Sequence, residues 1–267
     1  VTDASGKGEV VLVERVDVAL VRCGLARSRA QASELISSGL VFLHTEQGQQ
    51  RVTKASQKIP PSMTAADFLI KKSEIQTYVS RAGRKLASAL RHVDLNVANF
   101  RVLDIGQSTG GFTHCLLLQG ASQVLGIDVG HGQLDASLRE DARVIALEKT
   151  HIKDMSRERL EEIMGIPHVD LVVIDLSFIS VLKALPLALH CIHSDGHVLA
   201  LVKPQFEVGR KGLNRQGLVK DPLEYDRIRQ AVIELSDSLG CEVLAYFPSE
   251  ILGSDGNREF WCYLRKL

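Results

Sequence analysis

The residues of greatest chemical consequence form the run Val102-Leu103-Asp104-Ile105-Gly106-Gln107-Ser108-Thr109-Gly110-Gly111-Phe112-Thr113, an apolar strand passing through a glycine-rich turn into a helix. Glycines at such a turn let the backbone approach a ligand and adopt positive φ. The free N–H groups of the following helix then face whatever is bound. The spacing is G-x-x-x-G-G, not the G-x-G-x-x-G of dinucleotide binders, and no Walker lysine is present. Hydride transfer and nucleotide hydrolysis thereby lose their main support. Asp128 ends the next apolar run about 22 residues after Gly106, where a carboxylate meets ribose hydroxyls. Taken alone, Asp128 reads equally well as a turn aspartate. Together with Asp104 in the first strand, it favours S-adenosylmethionine over NAD or ATP.

These residues need a scaffold, and the pattern around them supplies one. From Arg101 onward apolar runs near 101–105, 123–128, 143–147, 169–174 and 196–202 alternate with helical segments, which implies a parallel sheet covered on both faces. Further strands near 242–247 and 259–265 follow a helix at 222–239, and ligands of such sheets sit at the carboxyl ends of the strands. Ahead of the sheet, Ser80 caps a basic amphipathic helix over Arg81 to His92. Residues 14–43 read as a helical hairpin broken at Gly24 and ended at Gly39, with Ser28 as a cap. A strand at Leu40 to Leu43, a polar turn at Thr45 to Gln50 and short strands before Pro60 and around Phe68 to Ile70 complete a small module. The expected layout is 1–70 for this α+β domain, 71–79 for a linker and 80–267 for an α/β, Rossmann-like domain with a doubly wound, mostly parallel seven-stranded sheet.

Composition sets the outer limits. The 267 residues are 45% apolar, enough for a sizeable core. No apolar run reaches the roughly 18 residues of a membrane span, since Val169 to Ile192 is interrupted by Asp170, Asp175 and Lys183. Val1 to Gly8 lacks a secretion-signal pattern, so a cytoplasmic location is expected. Cys23, Cys115, Cys191, Cys241 and Cys262 are odd in number and form no C-x-x-C pair, which suggests buried thiols and no metal site. Positive and negative side chains balance at 32 each, yet they cluster. One basic island holds Lys71, Lys72, Arg81, Arg84, Lys85 and Arg91, and another holds Lys203, Arg210, Lys211, Arg215 and Lys220.

Longer motifs carry a family resemblance. The pattern R-V-D-x-x-L-V-x-x-G-L-A-x-S-R-x-x-A-x-x-L-I-x-x-G-x-V from Arg15 resembles the S-four type of RNA-binding domain, which places Arg22, Arg27 and Arg29 on a face that could meet phosphates. A solvated helical face is the alternative for those arginines. The segments Tyr78 to Leu86, Asp128 to Leu134, Val172 to Phe178, Leu201 to Glu207 and Gly256 to Phe260 closely resemble the TlyA family of bacterial ribosomal RNA methyltransferases. The resemblance runs from Arg15 to Arg265. It implies an RNA-binding domain joined to a methyltransferase similar to the FtsJ group, acting on cytidine ribose 2′-hydroxyls of small- or large-subunit rRNA. It also implies a catalytic set of Lys85, Asp175, Lys203 and Glu259. Members often carry a haemolysin label, but this sequence has no pore-forming segment to support lysis.

The chemistry of those four residues is coherent. A 2′-hydroxyl is a poor nucleophile and must be held in line with the methyl sulfonium while its proton leaves. Lys203 is the expected base, oriented by Asp175, with Lys85 steadying developing charge and Glu259 holding a lysine. The expected cofactor contacts are Asp104, Gly106, Ser108, Thr109, Gly110, Gly111, Phe112, Asp128, Val129, Glu148 and Asp175. RNA contacts are expected from Arg22, Arg27, Arg29, Arg81, Arg84, Arg210 and Lys211, the last two in a loop from Val208 to Pro222 that reads equally as a cover over the site, able to lack order without substrate, or as a plain surface loop. His114 and His151 depart from the family pattern and are expected near the cofactor pocket. They motivate an alternative, an RNA-binding or ribosome-assembly factor with a non-catalytic methyltransferase fold. A membrane-lytic protein is a further alternative, resting on the family label alone.

Overall fold

A computed structural model describes residues 13–46, 48–71, 77–253 and 256–267. The expectations for Val1 to Gly8 and for most of the 71–79 linker lie outside the described residues. Two compact units divide between Thr77 and Tyr78.

In the first unit β1 (Glu14–Arg15) leads into α1 (Val16–Arg22) and α2 (Arg29–Ser37), followed by β2 (Val41–Thr45), β3 (Gly48–Arg51), β4 (Lys58–Ile59) and β5 (Phe68–Ile70). Ser28 caps α2 by accepting the Gln31 N–H at 3.2 Å. Strands pair antiparallel as β1-β4 and β3-β2-β5, and the helices bury Val16, Leu20, Leu35 and Ile36 against Val41, Leu43 and Phe68. The expected polar turn is shorter than its composition suggests. Thr45 pairs with Gly48, so Gln49 and Gln50 already belong to the returning strand.

The second unit runs α3 (Arg81–His92), β6 (Arg101–Ile105), α4 (Gly111–Leu118), β7 (Gln123–Asp128), α5 (Ala136–Arg139), β8 (Val144–Glu148), α6 (Arg157–Met164), β9 (Val169–Ile174), α7 (Val181–Ala188), β10 (Ile192–Val202), α8 (Pro204–Glu207), α9 (Leu223–Ser238), β11 (Cys241–Pro248) and β12 (Phe260–Lys266). The sheet order is β11-β12-β10-β9-β6-β7-β8, and β12 alone runs against the rest. From β6 the chain winds outward through β7 and β8, then returns to β9 on the other side of β6. Adjacent crossovers therefore diverge between β6 and β9, and a crevice opens at their carboxyl ends.

Strand alternation sends side chains to two faces. Leu103, Ile105, Leu125 and Val172 pack with α6, α7 and α9, whereas Val102, Val124, Leu171 and Val173 pack with α3, α4 and Trp261. Asp104 shares the second face. It is fully buried, and its Oδ2 accepts the Thr113 hydroxyl of α4 at 2.7 Å while Gln107 Nε2 donates to that same hydroxyl at 2.9 Å. This chain of hydrogen bonds ties the strand, the glycine-rich turn and the first turn of α4 together. Gly106 completes the lock with φ at 88°, and a Cβ there would lie 2.3 Å from the Asp175 carbonyl oxygen. Only glycine permits that approach between the ends of β6 and β9.

Burial pushes the Asp104 carboxyl up to about 7, opposed by the Thr113 hydrogen bond and aided by the charges of Asp175 and Asp128. A folded-state value above the ordinary one means that the folded chain holds the extra proton. Its stabilising effect is complete below about pH 4 and lost as pH rises through about 7. Asp104→Asn keeps an acceptor for Thr113 and cannot ionise. Chemical denaturation at about pH 4 and about pH 8 is expected to show a smaller loss of stability for this variant than for the native chain, by at most about 4 kcal/mol. Parallel pH dependences would contradict the assignment.

Candidate active site

At the β6/β9 crevice lies a cavity of about 370 Å3. Its walls are apolar at Ile105, Ile127, Ile152, Leu176 and Ile179, and polar at Ser108, Asp128, Gln133, Thr150, His151 and Asp175. Asp128 is held by backbone donors, with the Ser108 N–H on Oδ2 at 2.8 Å and the Gly130 N–H on Oδ1 at 2.7 Å. Each oxygen keeps a lone pair for a hydroxyl. Ser108 adopts φ of 49° and Phe178 of 66°. Positive φ at two non-glycine residues of one cavity is the kind of strain that clusters at functional sites.

Beyond Asp175 the same edge of the sheet carries two lysine–carboxylate pairs. Lys203 follows the last residue of β10, Asp175 follows β9, and Glu259 precedes β12, whose Phe260 is registered against Val202. Three neighbouring strands thus deliver three of the side chains to one edge. Lys203 Nζ lies 2.6 Å from Asp175 Oδ1 and donates to Ser177 Oγ at 3.3 Å, while Lys85 Nζ of α3 donates to Glu259 Oε2 at 2.5 Å. Asp175 Oδ1 is buried, and Lys203 Nζ is the charged group facing it. Side-chain exposures are 8% and 3% for Lys85 and Glu259, and 11% and 16% for Lys203 and Asp175. Ion pairs this buried cost desolvation and are a poor way to gain stability. Of the four residues, Asp175 lines the cavity.

The expected cofactor residues divide. Gly106, Ser108, Asp128, Val129 and Asp175 line the cavity. Asp104 lies beneath it, bonded to Thr113, because strand alternation aims residue 104 at α4. Thr109, Gly110, Gly111 and Phe112 are not among the lining residues. Gly111 serves helix packing instead, since a Cβ there would meet Ser80 Oγ at 2.2 Å, and Phe112 stacks on Trp261 with ring centroids 5.7 Å apart. Glu148 accepts from the Gly132 N–H at 2.8 Å and from Arg139 at 2.9 Å, which holds its carboxyl below the usual range. It braces the loop bearing Gln133 from outside. His151 lines the cavity, and its Nδ1 accepts the Lys153 N–H at 3.0 Å. His114 does not line it. Its Nδ1 accepts the Val79 N–H at 3.2 Å, which fastens α4 to the chain ahead of α3.

Three arginines of the first unit, Arg15, Arg22 and Arg29, are engaged by carboxylates. Asp17, 2% exposed, accepts from Arg15 at 2.8 and 3.0 Å and from Arg29 at 3.0 and 3.1 Å, and these hydrogen bonds hold it down at about 2. Arg22 is paired with Glu14 and donates to the Met63 carbonyl at 2.9 Å. Arg27 is exposed. In the second unit Arg81 donates to the Leu252 carbonyl at 3.0 Å, and Arg210 and Lys211 lie exposed in the loop after α8. That loop folds back on itself as a hairpin. Leu213 bridges Val219, the Asn214 N–H reaches Leu218 O at 2.8 Å, and the Lys220 N–H reaches Gly212 O at 3.0 Å. The signal was a turn-forming Asn-Arg-Gln-Gly at 214–217.

No helix among the described residues is long and apolar enough to cross a membrane, and no cluster of three or more metal-ligating side chains occurs among them. The FtsJ-like methyltransferase family model matches residues 78–266, and the S4 domain model matches residues 14–64. The 16S/23S rRNA (cytidine-2′-O)-methyltransferase TlyA of Mycobacterium tuberculosis (strain CDC 1551 / Oshkosh) is 42% identical over 251 residues, covering 94% of this chain and 89% of the relative. Hemolysin A of Brachyspira hyodysenteriae is 36% identical over 237 residues, 89% of this chain and 93% of the relative. A solved structure from Streptococcus thermophilus, provisionally named a hemolysin, is 34% identical with a TM-score of 0.72, covering 96% of this chain and 90% of that one. Fold, motifs and near full-length similarity agree: the chain belongs to the TlyA family, an FtsJ-like methyltransferase preceded by an S4 domain.

Proposed function

We propose that this protein transfers a methyl group from S-adenosylmethionine to the ribose 2′-hydroxyl of a cytidine in ribosomal RNA. The observation that carries this reading is the alignment of the Lys203–Asp175 and Lys85–Glu259 pairs along the strand edge that borders the cavity. The named activity of the Mycobacterium tuberculosis relative supports the choice of nucleoside and of rRNA.

The cavity residues fit the cofactor. Gly106 lines the cavity without a side chain to obstruct it, Asp128 offers its carboxylate to ribose hydroxyls, and the isoleucines supply apolar walls for a purine. Bound there, S-adenosylmethionine supplies an electrophilic methyl group on a sulfonium. All remaining work falls to side chains of this protein. Lys203 in its neutral amine form accepts the hydrogen of the incoming 2′-hydroxyl on Nζ, which aims an oxygen lone pair, and takes that proton as the 2′-oxygen gains the methyl group. Asp175 Oδ1 at 2.6 Å and Ser177 Oγ at 3.3 Å orient the amine by accepting its N–H groups. Lys85, held by Glu259, places a positive charge on the same edge, where it steadies oxyanion character or the adjacent phosphate. Arg27, Arg210 and Lys211 supply exposed cations for the RNA backbone. Arg22 contributes less because Glu14 neutralises it, and Arg81 is occupied with Leu252 O.

Tritiated methyl transfer to ribosomal subunits from an unmethylated strain tests the assignment. Lys203→Ala and Asp175→Ala are expected to lower the rate at least about 100-fold, with cofactor affinity of Lys203→Ala kept within a few-fold by calorimetry. Equal labelling by the native chain and both variants would remove the proposed active site. Asp128→Ala is expected to weaken cofactor binding by about 10- to 100-fold, and unchanged calorimetric affinity would exclude Asp128 as a ribose ligand. Arg27→Ala is expected to weaken RNA binding and to lower the salt slope by about one, with a smaller effect from Arg22→Ala. The reverse order in filter-binding titrations would overturn the reading of the two arginines.

A further inference from the structure

The hairpin formed by residues 212–220 is joined to the Lys85–Glu259 pair through one buried amide. Asn257 is 3% exposed, and its Nδ2 donates to the Gly217 carbonyl at the hairpin tip at 3.0 Å, across 40 positions of sequence. Asn257 is two residues from Glu259. Its own carbonyl accepts the Gly253 N–H at 2.9 Å, and Gly253 sits so close to the catalytic-edge carboxylate that a Cβ would lie 2.7 Å from Glu259 Oε1. One step further back, Arg81 donates to Leu252 O at 3.0 Å from the first turn of α3, four residues before Lys85. The Ser249 N–H closes the other side on Glu259 O at 2.8 Å. The strap leading from β11 to β12 is thus fixed to the helix that carries Lys85, to Glu259 and to the hairpin.

The hairpin has the composition of an RNA-facing element. Arg215 is exposed at its tip and Arg210, Lys211 and Lys220 are exposed at its base, whereas its own backbone groups are internally paired. Asn214 Oδ1 accepts the N–H groups of both Gln216 and Leu218 at 2.9 Å, which shapes the tip and turns the Gly217 carbonyl toward Asn257. A cationic hairpin held through a side-chain donor can transmit the position of bound RNA to whatever that donor is fixed to.

We infer that Asn257 is a positioning residue: it latches the 212–220 hairpin to the strap beside Glu259 and thereby sets the hairpin's cations at the distance from Lys85 and Lys203 that the target ribose requires. This rests on the rRNA 2′-O-methyltransferase reading of the same edge. Asn257 touches neither the reacting atoms nor the cofactor cavity, so its loss acts on RNA and leaves cofactor binding in place.

The test uses the full-length chain. Asn257→Asp replaces the donor by an acceptor of equal shape, and Asn214→Ala loosens the same tip from its exposed side. Both are expected to speed hydrogen exchange of the hairpin amides and tryptic cleavage at Arg215 by about tenfold, and to raise KM for ribosomal subunits with a smaller change in kcat. Cofactor affinity is expected to stay within about twofold, and the double variant to be no worse than Asn257→Asp alone. Hairpin protection equal to that of the native chain would overturn the latch, as would faster exchange with unaltered KM. Multiplied effects in the double variant would also overturn it, because the two residues would then act independently. Should Asn257→Asp fail to fold, Asn214→Ala decides alone by the same exchange and KM readouts. Exchange reads the latch without methyl transfer, so inactivity of the native chain toward rRNA would count against the rRNA reading and not against the latch.

Discussion

The structure depends on one close approach, the packing of the glycine-rich turn after β6 against the backbone of Asp175 after β9. The Asp175 N–H donates to Ile105 O at 2.9 Å and Gly106 has no room for a Cβ beside the Asp175 carbonyl. That contact fixes the floor of the cavity and the root of the Asp175 side chain at once. The buried Asp104–Thr113–Gln107 chain holds the turn from behind, and the Ser108–Asp128 bond holds it from the front. The cavity floor and the Asp175 carboxylate are consequently two sides of one rigid joint. Rigid support of this kind is what an in-line transfer needs, since a displacement of about 1 Å can cost two orders of magnitude in rate.

The two lysine–carboxylate pairs share one edge but differ in setting. Lys85–Glu259 is the more deeply buried and joins a helix to the start of β12, whereas Lys203–Asp175 borders the cavity, which Asp175 lines. The first arrangement suits a fixed charge and the second suits a group that must exchange a proton with a visiting hydroxyl. Geometry therefore separates two lysines that are chemically identical in the sequence.

Much of this was legible before any coordinates. The seven strands of the large sheet and α3 fall within a few residues of where hydrophobic periodicity places them, because strongly apolar runs of strand length between helical repeats leave little choice. Asp104 was misread as a cavity residue although strand alternation puts it on the face of Val102, toward α4. The loop residues Gln133, Thr150 and Phe178 were not expected among the cofactor contacts, since their placement follows from turns whose geometry depends on the sheet already being assembled. The hairpin geometry of 212–220 was hidden for a related reason. Its anchor is a side chain 40 residues away, and local composition reports only its glycines and charges. In the first unit the sequence displays the arginines, while the carboxylates that engage them, Asp17 and Glu14, become visible as partners only in three dimensions.

The central claim is that Lys85 and Lys203, 118 positions apart in the chain, work as one unit on a single ribose. The most direct measurement is a double-mutant cycle on single-turnover methyl transfer with Lys85→Ala, Lys203→Ala and the combined variant, each saturated with cofactor. A combined variant no slower than the slower single variant, by more than about twofold, is the predicted result. Rate losses that multiply would mean that the two amines act separately and would contradict the account.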